Sequence, residues 1–497
     1  MEFGGIVHAL EDKSILITGS TGFLAKLFVE KVLRIQPKVK RLYLLVRASD
    51  TKSAEKRLQN EVIEKELFDC LRKKHGKEFH SFITEKICAI PGDIIHENLG
   101  IEDINMRELM WNDINMVIHV AATTNFYVRY DIALNINVIG AKNAMNFAKK
   151  CSKLEVFLHV STAYVTGEKE GLLLEKAFGK GETLKGNMYL DIDAEIKLVE
   201  RRKKELLQLD NSTMDVEKMT MKELGIERAR HFGWPNTYVF TKAMGEMLVG
   251  QLRGSLPLVI ARPTIITSTW KEPFPGWIEG NRTIDNIIVG YAKGTLPCFV
   301  ADIESPMDVI PGDMVVNALI AMVVAHSNQQ AEFIYHISSS VRNPVKYSIL
   351  EQCGYRYFSK NPLFGKNGKE ISLQKVPVFK KLAIFRIFLF IRYWLPLEML
   401  RVVNTIFCCL FSKKYNELSR KYKFLMLLID LYIPYCFFKG WYAPFDLFFD
   451  DANLEKLRMA TKKHNDNQIF DFDPKNIDWD EYFYNIHIPG VLKYVCN

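Results

Sequence analysis

Short apolar runs alternate with stretches of helical spacing over roughly the first two thirds of the chain. Six runs are apolar at nearly every position, and they lie at residues 15–17, 42–46, 87–90, 116–120, 156–160 and 258–261. Strands that are buried on both faces have this composition, whereas strands with one wet face alternate apolar and polar positions. Such strands, separated by helices from the N-terminus onwards, predict an α/β fold with a doubly wound parallel sheet.

The pattern changes after about residue 344. Residues 382–411 and 424–438 are strongly apolar but are interrupted by polar residues or proline, among them Arg386, Arg392, Arg401 and Asp430. Such stretches form either helices of a second core or amphipathic helices that lie in a bilayer interface, and the pattern leaves both interpretations open. The polar residues 168–229, before this change, are predicted to be a mostly helical excursion that covers the ligand side of the sheet.

Composition narrows the class of protein only slightly. The chain has 497 residues, of which 48% are hydrophobic and 25% charged, as in ordinary globular proteins. The net charge is +8, and the basic residues are dispersed among 58 acidic ones. This mild positive charge fits an anionic ligand or a membrane surface, and it gives no reason to expect nucleic-acid binding. Nine cysteines without a Cys-x-x-Cys pair favour a reducing compartment, and eleven histidines without metal-ligand spacing predict no metal site.

No membrane span or targeting segment is expected from the sequence. No window reaches the ~20 uninterrupted apolar residues of a spanning helix. The first predicted strand begins at Ile15, which leaves no room for a cleaved presequence before it.

The first predicted strand ends in a glycine turn that opens a helix. Gly19 and Gly22 follow the strand, and Ala25 stands where a small residue lets helix and strand pack closely. Glycines allow close approach of backbone to a ligand, and a helix N-terminus offers N–H groups with partial positive charge. This arrangement after an N-terminal strand predicts a dinucleotide site, with a plain glycine turn as the alternative.

Residues at the ends of later strands fit the same site. Arg47 ends the second strand, where an arginine suits a ribose phosphate, so it favours NADP over NAD. Asp93 follows the third strand and is placed to accept a hydrogen bond from an adenine amino group. Small residues from Ala121 onwards leave room for a cofactor, and the loop at 262–264 is predicted to lie near the nicotinamide.

Tyr238 and Lys242 provide the strongest candidate chemistry. They are four residues apart, so they share one face of a predicted helix. A free phenol has a pKa of about 10, and a neighbouring ammonium lowers that pKa towards the working range of an acid–base group. Thr162 lies beyond the fifth strand, where ligands bind in such sheets. By contrast, His119 and His159 lie within apolar strands and are predicted to be core residues with satisfied hydrogen bonds.

Several longer motifs together resemble alcohol-forming fatty acyl-CoA reductases of the plant type. They are the turn Thr-Gly-Ser-Thr-Gly-Phe-Leu-Ala, Tyr-Leu-Leu-Val-Arg, Ala-Ala-Thr-Thr-Asn, His-Val-Ser-Thr-Ala-Tyr, Gly-Trp-Pro-Asn-Thr-Tyr-Val-Phe-Thr-Lys, Glu-Pro-Phe-Pro-Gly-Trp and His-Ile-Pro-Gly. The resemblance covers nearly the whole chain. It implies a Rossmann fold of the extended short-chain dehydrogenase/reductase type with a mainly helical C-terminal domain.

The resemblance also implies a function. NADPH would reduce a long-chain or very-long-chain acyl-CoA to the primary alcohol in two hydride transfers through an aldehyde, with release of CoA. Alternatives are a reductase of the same fold that stops at the aldehyde and a non-catalytic, membrane-associated NADP-binding protein. The implied location is the cytosolic face of the endoplasmic reticulum membrane, and a homo-oligomer is left open.

Site residues can be carried over position by position. The implied catalytic set is Thr162, Tyr238 and Lys242. The implied cofactor site comprises Thr18, Gly19, Thr21, Gly22, Phe23, Leu24, Arg47, Asp93, Ala121, Lys242, Arg262, Pro263 and Thr264.

The implied domains are an NADP-binding reductase domain at 1–345, a linker at 346–380 and a C-terminal domain at 381–497. Two stretches depart from the family pattern. Residues 125–129 lack an acidic pair often seen there, and residues 441–447 look inserted.

Overall fold

A parallel sheet of seven strands runs through the centre of the computed structural model. The structure describes residues 5–167, 171–208, 214–280, 283–294, 296, 298–363, 376–406, 411–427, 447–463 and 468–496. The strands of this sheet are β1 Ser14–Thr18, β2 Arg41–Val46, β3 Ile87–Pro91, β4 Met116–His119, β5 Val156–Val160, β6 Leu258–Pro263 and β7 Glu332–Ile337.

The strand order is β7-β6-β5-β4-β1-β2-β3, and every neighbouring pair is parallel. The chain therefore winds outwards in both directions from β1, and the order reverses between β1 and β4, which confirms the predicted doubly wound sheet. The six strands expected from apolar runs are all present. β7 was missed because Glu332 and His336 break the apolar run, although its last four residues are buried.

Helices cover both faces of the sheet. The helices of eight residues or more are α1 Phe23–Ile35, α2 Thr51–Leu58, α3 Phe79–Lys86, α4 Ile104–Asp113, α5 Gly140–Ala148, α6 Ile192–Leu207, α7 Met214–Phe232, α8 Thr237–Leu252, α9 Thr283–Ala292, α10 Gly312–Ala325, α11 Tyr347–Lys360, α12 Leu382–Leu389, α13 Leu395–Ile406, α14 Ser412–Leu427 and α15 Ala452–Lys463. Shorter helical segments are Ile6–Ala9, Gln59–Ile63, Glu66–Phe68, Asp69–His75, Gly76–Glu78, Glu97–Gly100, Tyr130–Ala133, Leu134–Ile139, Ala163–Thr166, Phe390–Trp394, Pro474–Asn476, Trp479–Glu481, Tyr482–His487 and Ile488–Tyr494.

Side chains of the central strands point alternately into two cores. In β1, Ile15 and Ile17 join a large core that contains α1 and α10, whereas Leu16 joins a smaller core beneath α5. Four further pairs of short strands lie outside the sheet: Gly171–Leu173 with Leu447–Phe449, Ile265–Thr267 with Val309–Pro311, Phe299–Val300 with Val378–Phe379, and Pro306–Met307 with Val345–Lys346. Both faces of the sheet are therefore buried, as its apolar strands require.

The C-terminal part of the chain is mainly helical, as predicted, and shares the larger core. Leu454 and Leu457 of α15 are buried in it, as are Ile488 and Val491 near the end of the chain. Asp451 joins the two parts, because its carboxylate contacts the guanidinium groups of both Arg342 and Arg458. Much of the proposed linker at 346–380 is structured, since α11 buries Leu350, Cys353 and Phe358.

The apolar run at 382–406 forms one helical rod with two different apolar sides. One side is buried through Phe385, Leu389, Tyr393 and Leu397. The opposite side exposes a stripe of large apolar residues, which are Ile384, Ile387, Phe390, Ile391, Trp394, Leu395, Met399, Val402 and Ile406. The rod packs into a core on one side, as the first interpretation predicts. Its other side presents an apolar face, as a helix in a bilayer interface would.

Among the described residues, no helix combines the length and apolar character needed to cross a membrane. Most of the stretch 424–438, and residues 441–446 of the inserted stretch, lie outside the described residues.

Candidate active site

The turn between β1 and α1 is built for close approach of a ligand. Gly19 has a φ of +70°, and a Cβ atom there would lie 2.8 Å from the backbone of Ala121 in the loop after β4. The Gly22 amide donates to the Gly19 carbonyl at 2.8 Å and closes the turn. Gly22 caps α1 without a side-chain hydrogen bond, and the partial positive charge of the helix N-terminus suits an anion.

A cavity of about 750 Å³ extends from this turn along the carboxyl edge of the sheet. Its volume lies within the range of small-molecule sites. The predicted site residues that line it are Gly19, Thr21, Gly22, Phe23, Leu24, Arg47, Asp93, Ala121, Thr162, Tyr238, Lys242, Pro263 and Thr264. The structure thus brings the predicted nucleotide residues and the predicted catalytic residues to one cavity.

Two arginines stand at one end of the cavity. Arg47 is exposed at the end of β2, and Arg57 of α2 donates to the Arg47 carbonyl at 2.6 Å. Arg57 also hydrogen bonds to Glu61, which raises the pKa of the guanidinium. Sequence reasoning missed Arg57, because a basic residue in a charged helix carries no distinguishing signal. Asp93 lies at the same end, and its Oδ1 accepts from the Ile95 amide at 3.2 Å.

Lys242 is a deeply buried charged residue at the other end of the cavity. Its side chain is 2% exposed, and its Nζ donates to the Val160 carbonyl at the end of β5, at 2.6 Å. Burial lowers the pKa of Lys242 to about 8, which leaves the ammonium mostly protonated at neutral pH. Tyr238 lies one helical turn earlier on α8 and stacks on Phe126 with ring centroids 5.6 Å apart. Both side chains reach the cavity, as the shared helix face predicts.

Two hydroxyl residues follow β5 on the opposite wall. Thr162 Oγ1 donates to the Pro263 carbonyl at 3.4 Å, a long hydrogen bond whose proton a ligand oxygen in the cavity can take over. Ser161 Oγ is buried without a hydrogen-bond partner among the described residues, and Ser161 also lines the cavity. A buried hydroxyl without a partner is unusual in a folded protein, so a polar ligand group is expected beside it.

Asn137 fixes the loop that forms the roof of this end. Its side-chain oxygen accepts from the Thr123 amide at 3.0 Å, and its Nδ2 donates to Thr241 Oγ1 of α8 at 2.9 Å. The side chain therefore holds the loop after β4 against the helix that carries Tyr238. Asn137 was not among the predicted site residues, because its long-range partners are not visible in the sequence.

Two residues assigned to the cofactor site do not line the cavity. Thr18 is buried behind it, where its Oγ1 lies 2.8 Å from His119 Nδ1 and accepts from the Ala121 amide at 3.3 Å. Arg262 points away from it, and its Nε donates to Glu246 Oε1 of α8 at 3.1 Å. Successive side chains of a strand point to opposite sides, so Pro263 reaches the cavity and Arg262 does not.

The expectation for the two strand histidines was only partly right. Both are buried, and their rings stack with centroids 5.3 Å apart. His119 has one partner in Thr18, but neither nitrogen of His159 has a hydrogen-bond partner among the described residues, so the prediction of satisfied bonds was wrong for His159. Burial lowers the pKa of His119 to about 3 and that of His159 well below its usual value, so both rings are neutral beneath Lys242.

Comparison with known proteins gives consistent matches over both parts of the chain. A family model for NAD binding, described as male sterility protein, matches residues 17–319, and a second model with the same description matches residues 392–497. The alcohol-forming fatty acyl-CoA reductase of Simmondsia chinensis is 51% identical, with 100% of each chain covered. Fatty acyl-CoA reductase 1 of Arabidopsis thaliana is 51% identical over 98% of each chain.

A solved structure shows the same fold at low sequence identity. The terminal R domain from the myxalamid PKS-NRPS biosynthetic pathway superimposes with a TM-score of 0.57 and 16% identity. The match covers 97% of this chain and 91% of that domain.

The Arg262–Glu246 pair gives a test of the corrected role of Arg262. Arg262→Met should lower the free energy of unfolding by about 3–5 kcal/mol, because it leaves the buried Glu246 carboxylate without its partner. Replacing both residues, as Arg262→Met with Glu246→Leu, should recover much of that loss while nicotinamide nucleotide binding persists. Denaturant unfolding and fluorescence titration measure the two quantities.

The exposed Arg41→Met on β2 is the control and should change stability by less than about 0.5 kcal/mol. A double variant that folds normally but no longer binds the nucleotide would return Arg262 to the cofactor site.

Proposed function

This chain belongs to the fatty acyl-CoA reductase family, and we propose that it reduces a long-chain or very-long-chain fatty acyl-CoA to the primary alcohol with NADPH, through an aldehyde and with release of CoA. The observation that carries this proposal is the single cavity that joins the Gly19–Gly22 turn to Thr162, Tyr238 and Lys242. A nucleotide site and a proton donor set share one space there, as a reductase requires.

The residues present fit a nicotinamide dinucleotide, which is the cofactor of this family. Any side chain at position 19 would collide with the loop after β4, and the positive N-terminus of α1, which has no side-chain cap, suits a pyrophosphate. The guanidinium group of Arg47 at the far end suits an additional phosphate on the ribose, and Arg57 holds the Arg47 backbone in place, which supports NADPH over NADH. Bound NADPH supplies the hydride that the thioester and the aldehyde require.

The catalytic residues support two successive reductions. Negative charge develops on the carbonyl oxygen in each, and hydroxyls of Thr162 and Tyr238 are positioned on the cavity wall to hydrogen bond to it. After the first reduction the carbonyl reforms as the CoA thiolate leaves. After the second, Tyr238 donates its proton to the alkoxide.

Lys242 supports this donor electrostatically. Its pKa of about 8 keeps it cationic at neutral pH, one helical turn from Tyr238, where a positive charge stabilises the phenolate left after proton transfer. The described residues that line the cavity include no cysteine, which supports direct reduction of the thioester without transfer of the acyl group to the enzyme.

The exposed stripe on the helical rod supports a membrane partner, which we propose as the cytosolic surface of the endoplasmic reticulum. Large exposed apolar patches mark interaction surfaces, and this one repeats at helical spacing from Ile384 to Ile406. The exposed cationic residues beside it complement anionic lipid head groups, and they are Lys381, Arg386, Arg392, Arg401, Lys413 and Lys414. A helix with an apolar stripe and basic flanks lies along a bilayer surface rather than across it.

Tyr238→Phe tests the catalytic assignment. The phenyl ring preserves the stacking on Phe126, so NADPH affinity should persist, whereas alcohol formation should fall ~100- to 10,000-fold with loss of the proton donor. NADPH binding is measured by fluorescence titration and products by chromatography. Tyr189→Phe, at an exposed tyrosine, is the matched control. Alcohol formation by Tyr238→Phe at the parental rate would refute the assignment, and accumulation of aldehyde by the parental enzyme would refute the second reduction.

Arg47→Asp tests the choice of cofactor. A carboxylate repels the ribose phosphate and accepts from free ribose hydroxyls, so the NADPH-to-NADH ratio of kcat/KM should fall about 10- to 100-fold. Arg41→Asp places the same charge change at the other end of β2 and should leave the ratio unchanged. Equal use of both cofactors by the parental enzyme would contradict the NADPH proposal.

Ile387→Asp with Ile391→Asp tests the membrane surface. Flotation with vesicles of phosphatidylcholine and phosphatidylserine should show that the parental protein binds, and that the double variant binds roughly 100-fold more weakly because two apolar side chains no longer leave water. Ile104→Asp changes an equally exposed isoleucine elsewhere and should float like the parent. Equal flotation of all three proteins, or a parental dimer in solution that the double variant dissociates, would contradict the proposal.

In cells, a fluorescent fusion should show the endoplasmic reticulum, and protease added to sealed vesicles should digest the C-terminal region. Full protection of that region would contradict a cytosolic location.

A further inference from the structure

An enclosed polar cluster joins the end of the chain to the reductase part. It consists of His487, Ser268, Asp285 and Tyr482, all of which are buried, and we refer to it as the His487 cluster. His487 Nδ1 lies 3.0 Å from Ser268 Oγ, within hydrogen-bond distance. Its Nε2 lies 3.2 Å from Asp285 Oδ1, a close electrostatic contact whose angle does not make a hydrogen bond. Tyr482 OH lies 2.7 Å from Thr267 Oγ1 and 2.8 Å from the Ser268 carbonyl.

The backbone determines how the His487 ring is used. The Ser268 amide donates to Nδ1 at 3.4 Å, and an amide nitrogen has only a donor role. Nδ1 is therefore an acceptor and carries no proton, so the ring proton lies on Nε2, which is 3.2 Å from the Asp285 carboxylate. The imidazole thus connects a loop amide on one side with a carboxylate in the first turn of α9 on the other.

The set Ser-His-Asp is known from hydrolases, but the geometry here does not suit a nucleophile. In hydrolases the serine faces Nε2 and the aspartate faces Nδ1, which is the reverse of the present arrangement. Ser268 is also 0% exposed and does not line the cavity, so no substrate carbonyl reaches its hydroxyl.

The two partners of His487 lead directly to the cavity. Ser268 follows the segment 264–266, whose three residues line the cavity after β6. Asp285 precedes Asn286, which lines the cavity from α9. No described residue beyond Asn286 lines the cavity, so the C-terminal part acts on it only through contacts of this kind.

We propose that His487 is a positioning residue of the reductase, which fixes the segment 264–266 relative to α9 through the Ser268 amide and the Asp285 carboxylate. This inference rests on the proposed function for its kinetic readout. The wall formed by 264–266 adjoins the Thr162 side of the cavity, since Thr162 Oγ1 donates to the Pro263 carbonyl. Misplacement of such a wall by about 1 Å costs up to about 100-fold in rate, because the reacting groups lose alignment.

Amide substitutions separate the two contacts of the ring. His487→Asn keeps an acceptor at the position of Nδ1, for the Ser268 amide, and loses the group at Nε2. His487→Gln keeps a donor at the position of Nε2, for Asp285, and loses the acceptor. Ser268→Ala removes the hydroxyl but keeps the amide through which the positioning acts.

The full-length variants are compared in kcat and KM for an acyl-CoA, in NADPH affinity and in hydrogen exchange of the peptide that spans 264–268. All rates refer to folded protein, counted by NADPH titration, well below the melting temperature. His487→Gln should lower kcat at least about 10-fold and speed exchange of that peptide, because the loop amide loses its acceptor. His487→Asn should recover most of both, and Ser268→Ala should stay within about twofold of the parent in kcat.

Three results would overturn the proposal. They are loss of activity in Ser268→Ala, parental kcat and exchange in His487→Gln, and a His487→Gln variant that melts earlier but has parental kcat per folded molecule. If the parental protein fails to reduce any acyl-CoA, the proposed function fails, and the exchange of 264–268 alone then decides whether His487 holds the loop.

Discussion

The buried ammonium of Lys242 is the constraint on which the site depends. An ammonium removed from water costs several kcal/mol unless the protein replaces its hydration, so the groups around it must be held in place. Its hydrogen bond to the Val160 carbonyl ties α8 to the end of β5, and the same helix carries Tyr238. The two histidines beneath it are neutral, so they add no second positive charge to the pocket floor. The packing of α8 against the end of β5 therefore determines both where the Lys242 charge lies and where the Tyr238 proton donor lies.

Other buried polar groups hold the elements around the site in place. Asn137 connects α8 to the loop after β4, and Asp313 at the start of α10 accepts the amides of Trp270 and Lys271, each at 2.8 Å. Asp451 joins the C-terminal helices to the strand edge through Arg342 and Arg458. None of these groups lines the cavity among the described residues. Each of them holds in place either an element that lines the cavity or a neighbour of such an element. The C-terminal part thus contributes to the site by holding it.

A substrate with a long apolar tail and a charged, water-soluble head sets two opposite demands on such an enzyme. The cavity meets the polar demand with backbone amides, hydroxyls and arginines, and it lies at the sheet edge. The helical rod keeps one apolar side in the core and leaves the other uncovered, and that uncovered side is the surface that we propose for the membrane. Soluble proteins seldom expose so many large apolar residues side by side, because such a patch promotes association. The polar cavity and the exposed apolar stripe therefore lie on different elements of the fold.

The sequence by itself determined the elements whose signal is local. Apolar runs predicted six of the seven sheet strands, the glycines predicted the turn at β1, and the i, i+4 spacing predicted that Tyr238 and Lys242 share a face. Each of these follows from backbone geometry over a few residues. The strand β7 escaped detection because its polar residues find partners far along the chain, as His336 does with Arg262.

Only the tertiary structure decided which way neighbouring side chains face and what they meet. Arg262 and Pro263 are adjacent, but one is paired with Glu246 in the core and the other lines the cavity. A strand buried on both sides gives no periodic signal to distinguish its two faces. For the same reason the sequence could not show that His159 lacks partners, or that His487 contacts Ser268. Those contacts join residues far apart in the chain, and only packing brings them together.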